Sequence, residues 1–94
     1  MNENIEHLIN LDKNEINKCL EGKDIFDMTV WVRDHAQYLK WFGNYNESKL
    51  DSVLQPFMKY SFFLYTNFRE DVNAIELFRA LCVDCVIDLE NKCR

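Results

Sequence analysis

The chain has little of what makes tight turns. Two glycines and one proline serve 94 residues. An all-β domain, which turns after each short strand, needs far more. With glycine only at positions 22 and 43, a glycine-rich loop that cradles phosphate through its backbone is nearly excluded as well. Basic clusters are missing too: no run of Lys and Arg is dense enough to displace the counterions of a nucleic acid. The net charge is −5. Acidic residues prevail at both ends, and in residues 1–22 Glu3, Glu6, Asp12, Glu15 and Glu21 outweigh Lys13 and Lys18. Direct contact with nucleic acid or with an anionic membrane is therefore not expected. Nor does any window approach the roughly 18 apolar residues of a membrane span. The opening MNENIEHLIN lacks the basic start and unbroken apolar run of a secretory signal. The expected location is the cytoplasm, or the host cytoplasm if the chain is viral, where Cys19, Cys82, Cys85 and Cys93 stay reduced.

Catalytic sets are equally scarce. No serine is flanked by glycines, and no Glu-x-x-His pair is present to build a carboxylate-bridged di-metal bundle. No enzymatic activity and no cofactor are expected.

What is present is an ordinary hydrophobic share, 48%, with a high aromatic share, 14%. Large rings help a short chain fill its core. One domain over residues 1–94 is expected, an all-α, compact antiparallel bundle of four helices, or five. Four segments carry the signal. The first, about residues 3–21, places Ile5, Leu8 and Ile9 on one face and Ile16, Cys19 and Leu20 on another. Asp12 with Glu15 has the form of a capping box, which would divide this segment into two short helices. The second, about 25–42, opens after Asp24, and Met28, Val32, His35, Leu39 and Phe42 step by four, three, four and three. The third, about 48–68, has Asn46 or Ser48 as its cap. Its stripe runs Leu50, Val53, Leu54, Phe57, Ser61, Leu64, Tyr65 and Phe68. Pro56 falls inside it and either kinks one helix or opens a second. The fourth, about 70–92, starts from an Asn67–Glu70 box or from Asp71 alone. It is apolar around much of its girth, which marks a central helix or an interface.

The stretch KYSFFLYTNF, Lys59–Phe68, holds six large apolar or aromatic residues in ten, more than one helical face can bury. Phe63 falls opposite the stripe and Phe62 at its margin. Either the first segment crosses over them, or they serve a protein–protein contact. Trp41, off the stripe beside Lys40, has the character of an interface anchor. The candidate contacts are Trp41, Tyr45, Phe62 and Phe63.

Cys82-Val-Asp-Cys85 is a CxxC pair, but it lies mid-helix on an apolar stripe, away from the helix N-terminus that activates a redox thiol. Buried cysteine acting as a small hydrophobe is the simpler reading. The alternative is a metal-binding or sensor bundle centred on His35 with Cys82 and Cys85, completed by Cys19, Cys93 or His7. For His35 itself the plain expectation is a buried imidazole bonded to a hydroxyl, such as Tyr60 or Tyr65, or to a carbonyl. Taken together, these features describe a small acidic module that binds another protein. It would act by occlusion, as an inhibitor, immunity protein, antitoxin or anti-defence protein does. Its partner could be a nuclease or another nucleic-acid enzyme with a basic site. A structural homodimer is the remaining alternative.

Overall fold

A computed structural model of the chain describes residues 10–94. Among the described residues there are four helices and no strand: α1 (Lys13–Leu20), α2 (Ile25–Phe42), α3 (Glu47–Phe68) and α4 (Val72–Lys92). The expected all-α bundle is what the chain forms. The apolar residues Ile5, Leu8 and Ile9, with His7, lie outside the described residues.

All four helices begin in the same way. Asp12, Asp24, Asn46 and Asp71 are N-caps in extended conformation, and their side chains accept from the backbone N–H of Glu15, Asp27, Lys49 and Ala74. Each bond satisfies a donor that the first turn leaves unpaired. Asp12 and Glu15 form the full reciprocal box. At the start of α4 Asp71 caps alone. Gly22, at φ +76°, supplies the left-handed residue after α1 that a side chain would strain. Asn44, at φ +60°, plays that part after α2. Pro56 lies inside an uninterrupted α3, so the third segment is one helix and not two.

Helix α4 is the centre of the bundle. It packs against α1, α2 and α3, and α2 and α3 also pack on each other. Phe78, Cys82, Val86 and Leu89 of α4 are fully buried, with Met28, Val32 and Leu39 of α2 and Ile16 and Leu20 of α1. Phe57 of α3 stacks on Phe78, ring centroids 5.3 Å apart. The apolar girth of the fourth segment is explained by three helical neighbours.

Among the described residues, helix α1 lies along α4 and leaves the aromatics of α3 open, while residues 3–9 of the first segment lie outside the described residues. The core stripe of α3 ends early. Phe57, Ser61 and Leu64 are buried, but Tyr65 and Phe68 are 37% and 44% exposed. Phe26, in the first turn of α2, meets Tyr65, so beyond that level α3 runs past the end of its neighbour.

Candidate functional site

The polar interior comes first, because His35 heads the list of chemically able residues. Its stripe position on α2 turns it inward, where Nε2 meets Oε2 of Glu90 on α4 at 2.7 Å. Both side chains are almost completely buried. Trp31 lies flat on the imidazole, ring centroids 5.4 Å apart and planes 2° apart. The expected hydroxyl partners are therefore replaced by a carboxyl group. Tyr60 and Tyr65 point outward. A second buried polar contact joins Thr29 of α2 to Ser61 of α3, with Thr29 Oγ1 also donating to the Ile25 carbonyl.

The cysteines are free thiols. Cys82 and Cys85 are buried, and desolvation pushes both thiols up, Cys85 to about 12. A thiol held neutral is a poor nucleophile and a poor metal ligand. Among the described residues no group of three or more His, Cys, Asp or Glu side chains is arranged to hold a metal ion. The proposed set of His35, Cys82 and Cys85 is thus not assembled: His35 spends its Nε2 on Glu90, and the cysteines serve as core hydrophobes.

The outer surface offers more. Phe62 is 74% exposed and Phe63 51%. Phe63 lies between Tyr60 and Phe68, with ring centroids 6.4 and 6.0 Å away. Val72 and Leu77 of α4 add further exposed apolar surface. Tyr60, Phe63 and Phe68, with adjoining rings, form an apolar arc along the last three turns of α3, and Phe62 is exposed on a neighbouring face.

Trp41 is exposed too, but elsewhere. The Lys40–Glu47 ion pair sets the end of α2 level with the start of α3. Phe62 lies about 20 Å further along α3 at 1.5 Å of rise per residue. Trp41 and Phe42 therefore form a separate apolar spot at the opposite end. Tyr45 joins neither. It is buried, its ring packed against Gly43 and covered by the Arg94 guanidinium at 5.5 Å. Burial raises its phenol pKa, and Arg94 works against that rise. Of the four candidate contacts, Phe62 and Phe63 are both exposed on neighbouring faces of α3, Trp41 is exposed at the other end and Tyr45 lies inside.

Next to the arc runs an open trough of about 460 Å³ between α3 and α4. Val53, Pro56 and Tyr60 form one wall, Leu77, Leu81, Asp84 and Asp88 the other, with Phe57 and Cys85 beneath. Tyr60 belongs to both trough and arc. Sequence reading missed Glu90 and this trough. The signal for Glu90 was an acid on the apolar side of the fourth segment. The trough left none, because it depends on how two helices sit against each other.

No helix among the described residues is long and apolar enough to cross a membrane. Comparison with protein-family models, curated proteins and solved structures found no match to this chain.

Proposed function

We propose that the protein is a small acidic protein-binding module that acts by occluding a partner's working surface. One observation carries this reading: Tyr60, Phe63 and Phe68 stand exposed with their rings adjoining on one end of α3, Phe62 is exposed on the same turns, and Val72 and Leu77 are exposed on α4. Buried aromatic anchors supply most of the energy of protein contacts, and adjoining exposed apolar surface marks such contacts on a folded chain. The net charge of −5 favours a partner with a basic working surface, such as a nuclease or another nucleic-acid enzyme, and speeds encounter with it. On this reading the chain carries no chemistry of its own.

The test is a quantitative pull-down from source-cell extract with wild type and a Phe62→Ser/Phe63→Ser variant. Both positions are exposed, so the variant is expected to fold. A protein retained by wild type and lost from the variant is the expected result. Identical retained sets would sink the reading. Retention of only the untagged chain itself would assign the arc to a homodimer.

A further inference from the structure

We infer that the trough between α3 and α4 receives an amphipathic helix of the partner that is apolar at one end and cationic at the other. The inference rests on the protein-binding reading above and names the chemistry of the partner. Two helical stripes form the walls. On α3 the stripe runs Val53, Pro56, Tyr60 and on to Phe63, by steps of three, four and three. On α4 it runs Leu77, Leu81, Asp84 and Asp88, by steps of four, three and four. Such spacing keeps each set on one helical face. Along α4 the wall is about 16 Å long, three turns of a docked helix. A docked helix satisfies its own backbone, so it needs from the trough only apolar floor and matching charge.

The two ends differ. Leu77, Phe63 and the ring of Tyr60 make one end largely apolar and merge it with the aromatic arc. Asp84 and Asp88 make the other end acidic, close to the C-terminal end of α4, where the helix dipole is also negative. Asp88 is paired with Lys92 at 3.3 Å. Asp84 is exposed and makes no ion pair among the described residues. Lys13 shares a neighbouring hollow with Asp84 without pairing to it. An unpaired carboxylate beside an apolar floor favours Lys or Arg on the incoming helix and disfavours Asp or Glu. A second copy of this chain is a poor occupant, since its net charge has the same sign as the acidic end of the trough.

The probe is a random library of peptides roughly 15 residues long, displayed on phage and selected against the whole protein. The expected enrichment is for large apolar residues at i, i+3 or i+4, and i+7, with Lys or Arg toward one end. Synthetic copies of the selected peptides should bind the Asp84→Asn/Asp88→Asn variant about tenfold more weakly at low salt, with less loss at high salt. Leu81→Asp should abolish binding. Selection of acidic or uncharged sequences overturns the inference, as does equal binding to the Asp variant or no enrichment at all. In each of those cases the pull-down with Phe62 and Phe63 substituted still decides the broader reading by itself.

Discussion

Glu90 and His35 hold each other where water does not reach, and neither has an easy substitute partner. Removing one leaves the other buried and unpaired, which costs about 3–5 kcal/mol when the pair is ionic. We expect Glu90→Ala to lose about 3 kcal/mol in urea unfolding and Glu90→Gln to lose clearly less, since an amide still reaches Nε2. The His35→Leu/Glu90→Leu double variant should fall well short of the two single losses combined. Strict additivity would mean that the 2.7 Å contact does not couple the two residues. Gly43 is bound to its neighbour differently. A Cβ there would stand 2.7 Å from a Tyr45 ring carbon and 2.9 Å from the Leu39 carbonyl oxygen. Gly43→Ala should therefore cost about 1–3 kcal/mol through overpacking, and a Tyr45→Ala background should relieve only the part due to the ring, because the Leu39 carbonyl contact remains. Gly22→Ala has open space around its Cβ and should cost about 1 kcal/mol through its left-handed backbone alone, whatever stands at position 45.

At the scale of the helices, Pro56 is the anomaly. Helix α3 continues through it without a break, so the Ser52 carbonyl has no N–H to accept from at that step. A proline in a helix interior costs about 3 kcal/mol, and Pro56 is itself exposed. Pro56→Ala should raise stability by about 1–3 kcal/mol, less whatever the unfolded chain gains in freedom. A loss would show that the ring does needed packing on the trough wall. Helix positions were legible in the sequence because local chemistry sets them. Asp24 and Asp71 announce their helices, and the 3.6-residue stripes name the inner faces of α2 and α4, except that Phe42, the last residue of the α2 stripe, is 61% exposed at the helix end. What depends on relative helix height was not legible. Phe68 continues the stripe of α3 in sequence but passes the end of α2 in space, and Tyr65, level with the first turn of α2, meets the exposed Phe26 there. Glu90 stands out in sequence only as an acid on the apolar side of α4, and its partner becomes visible when α2 brings His35 opposite it. Tyr45 reads as a loop residue at the surface, although Asn46 N–H binds the Cys93 carbonyl at 2.8 Å and draws that loop onto the end of α4. The exposure of Phe62 and Phe63 was legible because they lie off the stripe, a purely local signal. The acidic end of the trough was not, because it exists only between two helices.

For the molecule as a whole, charge and apolar surface pull in opposite directions. Two copies that approach through their aromatic arcs bury apolar surface, but each carries a net −5. At an ionic strength of 0.01 M that repulsion reaches about 30 Å, and at 0.15 M only about 8 Å. Self-association should therefore increase with salt, while binding of a cationic partner helix should decrease with salt because attraction is what is screened. The same face thus gives two opposite slopes, and light scattering over a range of salt and protein concentrations reads the first of them. We expect a monomer at low salt, a rising apparent mass at high salt and high concentration, and a monomer throughout for Phe62→Ser/Phe63→Ser. Association that is strongest at low salt would mean that opposite charges, not the arc, hold copies together. A mass that rises equally in the serine variant would move the interface away from α3. The apolar spot at Trp41 and Phe42, at the other end of the bundle, would then be the surface to substitute next.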